Sequence, residues 1–189
     1  MMQILFAAAF VWMLGPTSGL FQQTTPGDVP SWAAFPDVVG EFKTDRSRDL
    51  REFGIVARYK RGAATSDVYL YRIPQDDARD SLVSLNDEAA LTQETLLKLR
   101  GQGYDQFELV EASLPLHEMV GEEPIEGIMV GAMVIVNGQP ASTYTTLFNI
   151  RGYRLKIRTT IREPKPDISG TMTFVRTLLR VVLGGGQTG

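Results

Sequence analysis

Apolar and charged residues alternate along residues 153–162. Side chains alternate between the two faces of a β-strand, so this pattern predicts a strand with one apolar and one cationic face. Residues 141–150, rich in Thr, Tyr, Phe and Leu, suit a preceding strand, and Gly152 can take the positive φ of a connecting turn. The segment therefore predicts a β-hairpin. Its cationic row is Arg154, Lys156, Arg158 and Arg162.

A second hairpin is predicted nearer the start of the chain. Apolar and polar residues alternate over 55–60, a turn follows at residues 62–64, and residues 68–73 form a further strand. Residues 40–46 indicate a first strand, whereas the charged run 43–52 is interpreted as a solvated turn. The first part of the chain is thus predicted to be antiparallel β-structure.

The middle of the chain predicts two more strands. Residues 107–111 indicate one strand, and the continuous apolar run 128–136 indicates a central strand covered on both faces. Asn137 and Gly138 are a strong two-residue turn signal. They connect the apolar run to the cationic hairpin, so a three-stranded meander is expected.

Two amphipathic helices are predicted from apolar residues at helical spacing. The first ends near Arg100, and its cap is either Ser84, with Asp87 three residues later, or Asn86. The second is capped by Ser169 and carries an apolar stripe that must be buried against the sheet. The stripe consists of Met172, Val175, Leu178, Leu179 and Val182.

The predicted order of elements is β-β-β-α-β-β-β-β-α. Consecutive hairpins favour antiparallel pairing and two helices must cover the sheet, so the predicted class is α+β with about six or seven strands, mostly antiparallel. A chain of 189 residues suits one domain. That domain is expected over residues 37–183, followed by a flexible tail over residues 184–189.

No charged side chain precedes Asp28, and the apolar run of residues 4–14 is shorter than the ~20 residues that span a bilayer. This pattern fits a secretory signal peptide, and Gly19 suits the position before a cleavage site. Residues 1–19 are therefore predicted to be a signal peptide and residues 20–36 an extended lead-in. The mature protein is expected in the periplasm or outside the cell, without a transmembrane span. A buried N-terminal helix is the alternative.

Composition removes several classes of chemistry. The chain has no cysteine, which excludes disulfides, cysteine metal sites and thiol catalysis. A net charge of -3 does not indicate nucleic-acid binding. His117 is the only histidine and lies in no serine-hydrolase motif. The acidic residues Glu118, Glu122, Glu123 and Glu126 lack EF-hand spacing and are interpreted as a solvated hairpin end. No catalytic residue, metal or cofactor is predicted.

Several short segments share a pattern of proline, glycine, aromatic and basic positions: Pro36, Val39, Gly40, Phe42, Tyr59, Val68, Tyr69, Tyr71, Gly152, Lys156 and Arg158. These segments resemble a family of uncharacterised bacterial secreted proteins. Asp67 departs from that pattern, since the family usually has an apolar residue or Ala there. The order of elements is similar to the PsbP-like fold, which is shared with the Ran-binding Mog proteins. The resemblance implies an α+β fold, an extracytoplasmic location and a binding or assembly role, without an established activity.

The cationic row is the candidate site. It could bind an anionic partner, such as lipid head groups, polysaccharide or an acidic protein. The alternatives are cross-strand pairing with acids such as Glu108 and Glu111, or a charged face that is simply solvated. The function predicted first is an extracytoplasmic, non-enzymatic binding or assembly module for an envelope protein or an anionic envelope component. The alternatives are a carboxylate-based hydrolase and a small-ligand carrier with a pocket between helix and sheet.

Overall fold

The structure is a computed structural model that describes residues 35–50, 54–73, 81–98, 104–136, 138–163 and 167–184. The predicted signal peptide, nearly all of the lead-in and the tail beyond Gly184 lie outside the described residues. The elements are β1 (Val38–Val39), β2 (Phe42–Leu50), β3 (Gly54–Arg61), β4 (Ala64–Arg72), α1 (Ser81–Lys98), β5 (Tyr104–Val120), β6 (Glu123–Val136), β7 (Gln139–Ile150), β8 (Tyr153–Ile161) and α2 (Ile168–Leu183).

The strands form one antiparallel sheet of eight strands in the order β1-β2-β3-β4-β8-β7-β6-β5. Each half of the sheet is a series of hairpins, β1 to β4 before α1 and β5 to β8 after it. The halves join where β4 pairs with β8. The predicted α+β class with an antiparallel sheet is confirmed, with eight strands instead of six or seven.

The two helices lie on opposite faces of the sheet. α1 places Leu85 and Ala89 against Ile128, Val130 and Leu147 in a small apolar cluster. α2 buries its predicted stripe in the larger core on the other face. Neither of these helices is long and apolar enough to cross a membrane.

α2 crosses its face from one side of the sheet to the other. It contacts both β1 and β5, the outermost strands of the sheet. Midway along the helix, the ring of Phe174 lies 4.4 Å from that of Phe42 on β2, measured between centroids. Arg176, further along the same helix, lies 2.9 Å from the carboxylate of Glu118 on β5. The sheet therefore curls around α2, and most of the apolar core lies in that curl.

Both helices begin at residues other than those predicted. α1 begins at Ser81, so Ser84 and Asn86 lie within its first two turns and not at its cap. Asp167 caps α2 by accepting a hydrogen bond from a backbone N–H of the first turn, and Ser169 donates its Oγ to Asp167 at 2.8 Å. Asp and Ser are equally good caps, and the backbone path between them decides which one is used.

Two strands are longer than predicted. The charged run predicted as a turn belongs largely to β2, which pairs with β3 from residue 43 to residue 50. Its outer neighbour β1 has two residues, so β2 lies near the sheet edge, where charged side chains stay in water. β5 extends far beyond the predicted segment 107–111 because it pairs with β6 through three irregularities in register.

The strand covered on both faces is β7, not the predicted segment 128–136. Residues 141–148 of β7 are all buried, although four of them are Ser or Thr. β6 is second from the edge of the sheet, and Met133 is 47% exposed. The buried hydroxyls find local partners: Thr146 Oγ1 lies 3.4 Å from the carbonyl oxygen of Ile157. The position of a strand in the sheet therefore decides its burial more strongly than the apolar content of its sequence.

Candidate functional site

The predicted faces of β8 are correct. Leu155 and Ile157 are buried in the core beneath α2, and the cationic row lies on the opposite face, which carries α1. The acids predicted to pair with the row, Glu108 and Glu111, lie on β5, separated from β8 by β6 and β7. Arg154 and Lys156 take their partners from α1 and β7 instead.

Arg154 lies almost fully buried between β8 and α1, with 3% of its side chain exposed. Its Nη1 lies 2.5 Å from Glu88 Oε2, its Nη2 donates to Ser84 Oγ, and its Nε donates to Asn149 Oδ1 at 2.7 Å. A buried guanidinium is costly unless its charge and its donors are satisfied. These contacts identify Arg154 as a structural residue that holds α1 to the sheet.

The carboxylate of Glu88 also serves two further sheet residues. Lys156 Nζ lies 3.3 Å from Glu88 Oε1 and 3.4 Å from Thr92 Oγ1. The hydroxyl of Tyr71 on β4 donates to Glu88 Oε1. Burial and the neighbouring carboxylate raise the pKa of Tyr71 well above its ordinary value, because both disfavour the phenolate. Arg154 and Lys156, the first half of the cationic row, are thus both bound to α1.

The second half of the row belongs to a different surface, which we call the open basic face. It lies on β2, β3, β4 and the end of β8. Register places Arg58 of β3, Asp67 of β4 and Arg158 of β8 side by side, and Arg58 Nε lies 2.5 Å from Asp67 Oδ1. Among the residues whose side chains are described, the charged residues of the face are Lys43, Asp45, Arg58, Lys60, Asp67, Arg158 and Arg162, and the other residues are Thr65, Tyr69 and Thr160.

The open basic face is positive in a chain whose net charge is -3. Its charged residues with described side chains are five cations and two carboxylates, and four of these five cations are exposed. The hydrogen bond that Arg58 donates to Asp67 raises the pKa of Arg58. Burial raises the pKa of Tyr69, with a further contribution from Asp67. The face therefore keeps its positive charge at neutral pH.

The sequence points to Arg158 and Arg162 but misses the three cations on β2 and β3. The alternation of residues 55–60 is a signal that two of those cations share one face of a strand. The pairing of β4 with β8 has no such local signal. That pairing brings the two groups of cations onto a single surface.

Two other candidates lie at the surface. His117 is exposed on β5. The predicted acidic hairpin end lies around the β5–β6 turn, where Glu118 and Glu123 form ion pairs with Arg176 and Arg151. Among the described residues, no group of three or more His, Asp and Glu side chains is placed to hold a metal ion.

A small cleft separates the start of α2 from the β1–β2 turn, with a volume of about 220 Å³. Phe42 and Phe174 line it, and Arg61 lies 3.1 Å from Glu41 and 2.8 Å from Asp167. Ligand pockets usually measure ~300–1,000 Å³. A smaller cleft whose charges are already paired gives no support to the carrier hypothesis.

The chain has a PsbP-like fold. The solution structure of cyanobacterial PsbP (CyanoP) from Synechocystis sp. PCC 6803 matches with a TM-score of 0.52 and 13% identity, over 85% of this chain and 92% of that chain. The Ran-binding protein Mog1p of Saccharomyces cerevisiae matches over 77% of this chain and 87% of that chain, with 13% identity and a TM-score of 0.33, too low to carry an argument. No protein-family model and no curated protein matches the chain. The predicted PsbP-like fold is confirmed, whereas the resemblance to a secreted family stays a prediction.

Proposed function

We propose that this chain is a non-enzymatic binding or assembly module that docks an anionic partner of the cell envelope through the open basic face. The observation that carries the proposal is the separation of charge: five cations and two carboxylates share this face of a chain whose net charge is -3. Such a surface attracts an oppositely charged partner and orients its approach.

The two halves of the cationic row have different roles in this proposal. Arg154 and Lys156 are structural, because Glu88 neutralises both beneath α1. Arg158 and Arg162 contribute to docking together with the cations of β2 and β3. Arginine suits such a surface because its planar donors match carboxylate and phosphate groups.

The contacts of the carboxylates do not favour the hydrolase alternative. Glu88 and Glu118 are both partly buried, and each forms an ion pair with an arginine. These two carboxylates are therefore acceptors in structural ion pairs.

Site-specific photo-crosslinking tests the docking surface. A photoreactive amino acid is placed at Thr160, on the open basic face, or at Arg180, on the exposed side of α2. In intact envelopes of the native host, the first position should give a product that high salt abolishes, because exposed charges are screened. The variant Arg158→Thr/Arg162→Thr should lose that product. Equal products from both positions, or none from Thr160, contradict the proposal.

We propose also that the protein is exported. The support is the stretch before Asp28, which lacks charge and contains a short apolar run. N-terminal sequencing of the protein from its native host should begin near Leu20. Recovery of a cytosolic chain that begins at Met1 contradicts export and leaves the docking proposal without an envelope partner.

A further inference from the structure

We infer that the partner is a protein that lays an acidic, amphipathic helix on the open basic face alongside α1. The inference rests on the proposed function and narrows it to one class of partner and one mode of docking. α1 contacts β5, β6 and β7 and reaches the start of β8. In the described part of the chain, no helix covers the same face of β2 and β3, and α1 meets β4 at Tyr71, near the end of that strand.

The open basic face has the width of one helix. It spans four adjacent strands, and a strand spacing of ~4.8 Å makes it about 14 Å wide. A helix with its side chains is ~10–12 Å across. Because α1 packs on the neighbouring strands, it borders the open basic face along one side and protrudes above it. A flat bilayer would contact α1 before it reached the strands of the face, whereas a single helix can contact those strands directly.

An apolar strip, formed by Leu91 of α1 and Tyr69 of β4, lies along the border between α1 and the open basic face. Glu88 and Thr92 of α1 contact Lys156, which places this side of α1 at the border of the face. Leu91 follows Glu88 by three residues, so it lies on the rim of the same side, and it is 48% exposed. Tyr69, the cross-strand neighbour of Lys156, is half-buried on the open basic face. Such residues are typical anchors of protein interfaces.

Four of the five described cations lie beyond the apolar strip at two levels of the sheet, and Arg162 follows the second level by two residues. Arg58 and Arg158 occupy one level, and Lys43 and Lys60 occupy the next. Two residues of strand separate the levels, about 7 Å, and acids one turn apart on a helix are ~5.4 Å apart. A helix with Leu or Met facing Leu91 and with Glu or Asp on the adjoining side would contact the apolar strip and the cations at the same time.

The test uses the purified chain and a synthetic helical probe of about 18 residues, long enough to form a helix. The probe carries Leu and Glu on adjoining sides. A second peptide of the same composition has its order scrambled so that no apolar side forms. Fluorescence anisotropy at low salt should show the amphipathic probe binding at least about tenfold more tightly than the scrambled peptide, because only the former presents leucines to the strip.

Matched variants locate the binding surface. The charge reversal Lys60→Glu/Arg162→Glu should weaken binding of the amphipathic probe at least about tenfold. Lys98→Glu/Arg180→Glu changes the net charge equally at other places and should stay within about twofold. Leu91→Ser should weaken binding about fivefold, since it removes the anchor on the rim. Lys60→Gln/Arg162→Gln replaces the charge reversal if circular dichroism shows that the latter unfolds the protein.

Three results would overturn the inference: equal binding of the scrambled peptide, an equal loss in the Lys98/Arg180 control, or binding of anionic lipid vesicles through the open basic face in preference to the probe. If the probe fails while Thr160 still crosslinks an envelope component, the helix inference falls and the proposed docking surface stands. If both experiments fail, the proposed function falls as well.

Discussion

At the scale of single residues, Glu88 accepts contacts from three side chains of the sheet, those of Tyr71, Arg154 and Lys156. The apolar cluster beneath α1 is small, so these polar contacts are important for holding the helix in place. They also balance the charge of Arg154, which has little access to water. Removing one member of such a buried pair leaves the other charge uncompensated.

Replacing Glu88 by Gln should therefore lower the free energy of unfolding by about 3 kcal/mol. A matched control lies on the same helix: Glu94 forms an ion pair with Lys98, and both side chains are exposed. Glu94→Gln should change the free energy by less than about 0.5 kcal/mol, because exposed ion pairs contribute little. Denaturant titration of both variants measures the difference, and equal losses would show that Arg154 does not depend on Glu88.

Gly127 on β6 permits a close approach between strands. A Cβ atom at this position would lie 2.4 Å from Cδ1 of Phe148 and 2.7 Å from the carbonyl oxygen of Leu147. The phenyl ring can shift slightly, but the carbonyl belongs to the paired strand β7. Packing around this glycine is therefore set by the sheet backbone.

The variant Gly127→Ala should be destabilised by about 1–3 kcal/mol through overpacking. Phe148→Leu removes part of the clash, so the double variant should lose less stability than the sum of the two single losses. Residues in direct contact couple in this way. Chemical denaturation of the three variants measures the coupling, and strictly additive losses would contradict the contact.

At the scale of elements, the start of α2 depends on the carboxylate of Asp167. It accepts hydrogen bonds from Gly170 N–H at 2.9 Å, from Arg61 at 2.8 Å and from Ser169 at 2.8 Å. These contacts lower the pKa of Asp167, first through the backbone hydrogen bond and then through Arg61. The cap thus also ties α2 to Arg61 at the end of β3.

A lowered pKa in the folded state gives stability that is complete above the unfolded value of ~3.9 and is lost as the pH falls. Asp167→Asn keeps a good cap but has no charge to titrate. Between pH 5 and pH 2 its denaturant midpoint should fall less steeply than that of the unaltered protein. Asp167→Ala loses the cap too and should be less stable already at pH 7. The same acid slope in the Asn variant and in the unaltered protein would contradict the assignment.

At the scale of the whole molecule, three tyrosines on the first half of the sheet resist ionisation. Burial raises the pKa of Tyr59, Tyr69 and Tyr71. Tyr59 is fully buried and donates its hydroxyl to the carbonyl oxygen of Pro36 at 2.8 Å. Tyr59 connects the sheet to the start of the domain and Tyr71 connects it to α1, so ionisation of these two side chains is coupled to global unfolding.

A raised pKa in the folded state gives stability that is complete below the unfolded value of ~10 and is lost at higher pH. Ultraviolet titration should therefore show at least three of the six tyrosines ionising above that value, together with loss of the folded circular dichroism signal. Ionisation of all six tyrosines near their ordinary pKa with the fold intact would show that these side chains are not buried in solution.

The sequence by itself determines the features that depend on neighbours along the chain. The alternation over residues 153–162 predicts the correct faces of β8, because a strand has a period of two whatever pairs with it. The stripe of α2 is correct for the same reason at helical spacing. The β3–β4 hairpin and the positive φ of Gly152 follow from local turn chemistry.

Tertiary structure alone decides what depends on distant segments. β7 is buried on both faces despite its Ser and Thr residues because strands flank it and helices cover it. The cationic row is divided because α1 reaches only the start of β8. The open basic face exists because β4 pairs with β8. A local pattern determines which residues share a face of a strand. The choice of neighbouring strand depends on the free energy of burying the whole sheet, and this cannot be read from any single segment.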